Sequence, residues 1–214
     1  AFDTLNMMNL FEYDTNPIKE VVKRGLNKDI SIIHIPHSSE YIPSLDGFVD
    51  NKILIEKEKI LTTDHYSNNI FLVEGAEHII AQFSRIFCDV ERLNDHDEPL
   101  SQFGRGFFYT HTDSGEILRK EQDGNKDFIY RNYYLIHQEK VVSLVGDKLN
   151  NYGKAMIIDC HTFPNIPFKT DLDQNTNRPD ICIGVDKFHT PKNVVQFLTN
   201  YFNDNGFSIK INSP

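Results

Sequence analysis

Residues 32–43 read IIHIPHSSEYIP. An apolar run closing at Pro36 has the composition of a buried strand end, and it delivers His37, Ser38, Ser39 and Glu40 into a loop at the strand tip. His37 and Glu40 stand three residues apart. That spacing lets one neutral imidazole and one carboxylate close on a small cation from a single turn of backbone, and a borderline-soft ion such as zinc takes both ligand types. Two ligands do not hold a catalytic metal, so the reading needs a third from elsewhere in the chain.

Outward from this loop, strand and helix patterns alternate. The strand that feeds it covers residues 30–35. Ile53, Leu54, Ile60 and Leu61, interleaved with Glu and Lys, predict a surface helix, and Thr63 reads as the N-cap of a second helix carrying Asp64 and His65 in its first turn. Residues 78–83 and 86–90 read as strands. Asp113, Ser114 and Gly115 mark a hairpin turn, and residues 128–149 carry a helical stripe ended by Gly153. KAMIIDC, residues 154–160, is the clearest buried strand and runs straight into His161. A strand at 181–185, a helix at 192–203 and a strand at 207–211 complete the pattern. The first 29 residues contribute apolar Phe2, Leu5, Leu10, Phe11 and Tyr13 and a helical turn after Pro17 through Ile18, Val21 and Val22, with no chemistry assigned. Such alternation predicts one α/β domain over residues 1–214, a mixed central sheet with helices on both faces.

Bulk properties narrow the function. The chain of 214 residues has a net charge of −9 and no basic run, which excludes the phosphate-directed attraction of nucleic-acid binders. An acidic protein also repels small anions at long range, so an anionic substrate requires local Arg, Lys or metal. No apolar run approaches the ~20 residues that span a bilayer. Cys88, Cys160 and Cys182 lie in apolar stretches and read as reduced, buried thiols, and the first 14 residues contain no Lys or Arg; both features predict a cytoplasmic protein.

In an open α/β sheet, sites form where strands end at a common edge, so the loops after Ile35, Val90 and Asp159 can converge. The third ligand is then His161. Two His and one Glu with a fourth position open to solvent form a catalytic set rather than a structural one. Cys160 alternates away from His161 along the strand, which argues against a nucleophilic thiol. Asp159, two residues before His161, shares its face and could orient a ligand.

The ordered series PHSSEYIP, TDHYSNNIF, SRIFCDVERL, SQFGRGFFYT, DCHTFPN and NRPDICIGVD, over residues 31–185, resembles that of the N-formylglutamate amidohydrolase family. The resemblance implies a phosphorylase/hydrolase-like fold similar to the zinc carboxypeptidases, with Zn2+ on His37, Glu40 and His161. It also implies hydrolysis of N-formyl-L-glutamate, or a related small N-acyl acidic amino acid, in amino-acid (histidine) degradation. Asp89 and Arg92 sit where carboxypeptidases carry an Asp-x-Asn-Arg motif, with Glu91 in place of its Asn.

Arg92 and Arg178 become candidates for pairing the substrate's carboxylates, because a guanidinium fork matches a carboxylate, and Arg85 and Arg105 are further candidates. His137 matches a family position at the pocket wall. The family's general base is a Glu in a late strand past Pro214, so the expectation is either a longer natural chain or a protein without its base. Two rival readings remain: a carboxypeptidase-like metallopeptidase, and a binding protein of the same fold without catalysis. For Arg92 a structural ion pair with Asp89 or Glu91 stands beside the substrate role.

Overall fold

The computed structural model describes residues 27–93, 98–121 and 124–214. The opening segment expected to pack through Phe2, Leu5, Leu10, Phe11 and Tyr13, with its helical turn after Pro17, lies outside the described residues. Strand β1 is Ser31–Ile35, buried along its whole length. It is buried because it is central: β2, Glu77–Ile80, and β3, Met156–Asp159, flank it in a parallel sheet of order β2-β1-β3. Both ladders run to the strand ends that matter for the site. Ala81 N donates to Ile35 O at 3.1 Å, and Cys160 N donates to His34 O at 2.9 Å. In a parallel pair, residues in register point to the same face, so the register of His34 with Asp159 is a direct positional consequence of the sheet.

Among the described residues all strand pairings are parallel, and the strands divide into that sheet and a two-stranded one, β4, Ile181–Ile183, with β5, Ile209–Ile211. The α/β expectation therefore holds, while the single mixed sheet is replaced by two small parallel ones. Residues 86–90 are the main departure. They form turns, not a strand, although Ile86, Phe87, Cys88, Asp89 and Val90 are all buried. Their backbone is satisfied by other means. Phe87 O accepts Arg119 Nη1 at 3.0 Å, Asp89 N donates to Phe107 O at 2.9 Å, and Phe87 N donates to Ser84 O at 2.9 Å. A guanidinium does what a neighbouring strand would do. Arg119 is itself held between rings, 3.5 Å above the Phe108 centroid and 4.8 Å from that of Phe48.

Helix α1, Lys52–Thr62, starts at Asn51, whose side chain accepts from Leu54 N at 3.1 Å, and turns Ile55, Glu58 and Thr62 inward at helical spacing. Thr63 closes α1 instead of opening the next helix, because its N and Oγ1 both donate to Lys59 O. The next helix, α2, is a single turn, Ser67–Ile70. The expected hairpin turn forms, with Thr112 N on Glu116 O at 2.9 Å and Gly115 at φ 83°, a conformation glycine adopts freely. The long helical stripe is composite. Helix α3, Asn125–Ile129, passes into a π-helical stretch, Tyr130–Tyr134, and then into α4, Leu135–Tyr152. Helix α5, Lys192–Asp204, connects β4 to β5. Among the described residues no helix is long and apolar enough to cross a membrane.

The polar segment 162–180 is pinned to this frame by one buried carboxylate. Asp113 accepts Lys169 N at 2.9 Å, Thr170 N at 3.1 Å, Thr170 Oγ1 at 2.8 Å and Arg105 Nη1 at 3.1 Å. Its own N donates to Glu58 Oε1 at 2.9 Å, and burial pushes the Glu58 carboxyl above its ordinary range. Asp113→Ala leaves Arg105 buried without its counter-charge and should cost about 3–5 kcal/mol. Urea denaturation measures that loss, and limited proteolysis should show new cleavage within residues 162–180.

Candidate active site

Three segments meet at the tip of β1. Pro36 and His37 continue β1 beyond its last ladder bond, residues 86–92 arrive through the turns described above, and Cys160 and His161 leave β3. Asp64 joins them through its backbone, because its N donates to His37 O at 3.0 Å. The side chains assemble as a ring of alternating bases and acids. His37 is 1% exposed, and its Nε2 lies 2.8 Å from Asp89 Oδ1. His161 contacts Asp64 Oδ2 through Nδ1 at 2.8 Å and Glu91 Oε1 through Nε2 at 3.0 Å. The two imidazole centroids are 5.2 Å apart.

Asp89 anchors this ring. It is 0% exposed and accepts from Arg85 Nε at 3.1 Å, Arg85 Nη2 at 2.9 Å, Tyr109 Oη at 3.0 Å and Glu91 N at 3.2 Å, besides His37. Burial alone would raise its pKa, but the Arg85 and His37 charges outweigh burial and hold the carboxyl well below the usual range. Asp64 behaves the same way: burial is outweighed by His161 and His37, and its pKa falls to about 2. Glu91 is also lowered, chiefly by the His161 hydrogen bond and the His37 charge acting against burial. His161 is the counterpart. Burial disfavours its charge, yet the bonds to Asp64 and Glu91 raise its pKa to about 10.

The next layer out contains His34, 2.7 Å from Asp159 Oδ1 through Nδ1 and 2.8 Å from His137 Nε2 through its own Nε2. Asp159 is raised by burial and by the adjacent Glu91 charge, with the His34 bond opposing them; His137 is lowered to about 4 by burial and the neighbouring His34. The helix holds this wall in place. Tyr134 Oη donates to Arg92 O at 2.8 Å and Gln138 Nε2 to Val90 O at 2.5 Å, from the same side of the helix as His137.

Of the residues picked from sequence, His37 and His161 come together, with Arg92, Asp159 and His137 around them. Glu40 does not join them. The chain has left the interior by that point; the Glu40 side chain is 47% exposed and its carboxylate lies 3.8 Å from Lys59 Nζ and from His65 Nδ1. Asp159 makes its close contact with His34, its Oδ1 is 3.9 Å from His161 Nε2, and the carboxylate bonded to that nitrogen is Glu91. The arginines separate as well. Arg105 and Arg178 side chains are 2% and 3% exposed and are bonded to Asp113 and Asp171. Arg92 is 27% exposed, with Nε 3.6 Å from Asp89 Oδ2. Sequence reasoning left Asp64 undecided between a helix-turn group and a site group, and Glu91 as a motif departure. The signal it lacked was their position relative to the histidines. Cys160 is buried, and burial raises its thiol pKa to about 12, which leaves no reactive thiolate.

Proximity of donor atoms defines two groups able to hold a cation among the described residues, His37–Glu91–His161 and His34–Glu91–Asp159. Hydrogen bonding adds direction to the first. With Nε2 of His37 on Asp89, its buried Nδ1 has no hydrogen-bond partner and faces Asp64 Oδ2 at 3.8 Å. Asp64 Oδ2 is also the atom on His161 Nδ1. Both imidazoles thus turn Nδ1 toward Asp64, and each has a carboxylate at Nε2, Asp89 for one and Glu91 for the other. Imidazoles that bind metals characteristically carry such an outer partner.

Comparison with known proteins identifies the family and the fold. The family model for N-formylglutamate amidohydrolase matches residues 31–214. A solved structure of similar shape is the crystal structure of N-formylglutamate amidohydrolase from Ralstonia eutropha JMP134 at 2.00 Å resolution, with a TM-score of 0.74 and 17% sequence identity over 86% of this chain and 72% of that one. At that identity the likeness concerns the fold. No curated protein matches the sequence. With six motifs in order and the family model extending from β1 through the last residue, the chain belongs to the N-formylglutamate amidohydrolase family.

Proposed function

We propose that this protein hydrolyses the amide of an N-acylated acidic amino acid, N-formyl-L-glutamate to formate and glutamate in the reference case, with Zn2+ held in a carboxypeptidase-like manner. The observation that carries the reading is the unpartnered, buried Nδ1 of His37 opposite Asp64 and His161. Two imidazoles and a carboxylate suit zinc, and the carboxylates at each Nε2 supply the outer bonds that such ligands need. His37, Asp64 and His161 are therefore the ligands in this reading, with Asp64 in the place of Glu40. Zinc bound there would polarise the amide carbonyl and make a water molecule more acidic.

The chain's own residues supply the rest. Asp89 fixes the His37 tautomer, since a carboxylate can only accept, so that Nε2 carries the proton and Nδ1 the lone pair. Arg92 has the most open guanidinium of the candidate arginines and is the one to pair with a substrate carboxylate. Arg105 and Arg178 shape the pocket indirectly by bracing segment 162–180. His137, kept neutral by burial, lines the wall. Free Cys88, Cys160 and Cys182 favour a reducing compartment, the cytoplasm.

Metal analysis of protein purified without chelator should find at least one zinc per chain, and one fewer in the His37→Ala, His161→Ala double variant; absence of divalent metal from both forms would remove the site. Glu40→Gln should keep the zinc, while Asp89→Asn should weaken it by about 10–100-fold. Steady-state assays should show turnover of N-formyl-L-glutamate and none of short peptides; peptide cleavage alone would point to a metallopeptidase. In metal-free protein, His161 has a folded pKa of about 10 against an ordinary 6.5. Its contribution to stability is full below the ordinary value and disappears as pH rises through the folded one. The stability difference between wild type and His161→Gln, followed by urea denaturation, should therefore shrink between those two values.

A further inference from the structure

A second donor group lies beside the first. His34, Glu91 and Asp159 each offer one donor atom, and all three lie within 4.8 Å of one another. Two of the three are set by the sheet itself: His34 and Asp159 are register partners across β1 and β3, and the ladder bond from Cys160 N to His34 O closes beside them. Glu91 enters from a turn whose own N is fixed by Asp89 at 3.2 Å and whose preceding carbonyl is fixed by Gln138.

Glu91 belongs to both donor groups. Its Oε1 lies 3.0 Å from His161 Nε2 and its Oε2 3.5 Å from His37 Nε2. His34 has the outer partner a ligating imidazole uses: with Nδ1 directed to the group, its Nε2–H can donate to His137 Nε2 at 2.8 Å.

We propose that His34, Glu91 and Asp159 form a second divalent-cation site beside the first centre, with Glu91 also holding Nε2 of the first centre's His161. A mixed imidazole and carboxylate set suits zinc, cobalt or manganese. The proposal rests on the mononuclear reading above and extends it. It also answers the charge problem of the substrate. The fixed groups near the two histidine pairs, Asp64, Asp89, Glu91 and Asp159 against Arg85 and Arg92, are net acidic, whereas an N-acyl acidic amino acid is a dianion. A second cation reverses that balance at the place where the substrate would sit.

The test is titration of the full, metal-free chain with Co(II), read by visible absorption and by metal content after gel filtration. Wild type should take up two equivalents and His34→Gln one. One equivalent in wild type overturns the second site and leaves the first standing, two equivalents in His34→Gln overturn the assignment to His34, and none in wild type overturns both. Electron paramagnetic resonance of the Mn(II)-loaded wild type provides a check that needs no variant. Mutual broadening of the manganese signals is expected from ions held in adjacent groups, and two isolated manganese signals would overturn the placement of the second ion beside the first.

Discussion

The site depends on a charge that water never reaches. Asp89 is wholly buried, and an ionised carboxylate there would be prohibitively costly without compensation. The compensation comes from Arg85, Tyr109, the backbone of Glu91 and His37. Each partner is thereby immobilised by a group that cannot itself move without exposing a bare charge. The imidazole at the tip of β1 is held at one nitrogen so firmly that its other nitrogen has a defined direction. Rigidity of this kind is what a binding site needs, since groups a fraction of an ångström out of place lose much of their effect.

The same logic extends outward in shells of decreasing burial. Asp89 is enclosed, Asp64 and His37 are nearly so, and Glu91, Arg92 and His161 are partly open. Charges inside are neutralised by fixed neighbours, and those at the rim stay available to a ligand. Arg105 and Arg178 belong to the inner kind. Their counter-ions are protein carboxylates, so their effect on the pocket is exerted through the segment they secure.

Much of this was legible in the sequence, and the failures have physical causes. The strand at 30–35 with His37 beyond its tip, and the second histidine after β3, could be placed because strand termini in α/β sheets collect at one edge; the Asp-x-Glu-Arg segment was put there by a strand the chain does not form. Glu40 could not be ruled out, because three-residue spacing says only that two side chains are near in sequence; their directions depend on when the loop turns to solvent. Residues 86–90 carried a strand's composition because burial selects apolar residues regardless of backbone shape. Arg119, distant in sequence, makes that turn tolerable by taking the carbonyl a strand would have paired. Asp64 was left undecided by the helix boundary: with Thr63 read as the start of a helix, the next residue fitted a first-turn group as well as a site group, whereas it follows the end of α1 and is tied to His37 O.

The π-helical stretch Tyr130–Tyr134 sets the phase of the longest helix. A π-bulge holds one residue more than the α-helical path it replaces, and one residue is about 100° of rotation. Everything downstream is therefore turned by more than a quarter-circle relative to an uninterrupted helix with the same start. In that phase Tyr134, His137 and Gln138 face Arg92, His34 and Val90. What a sequence alignment would record as a one-residue gap is, in space, a choice of which face of the helix meets the sheet. Relatives without the extra residue would bring different side chains to this wall, even with every motif around it unchanged.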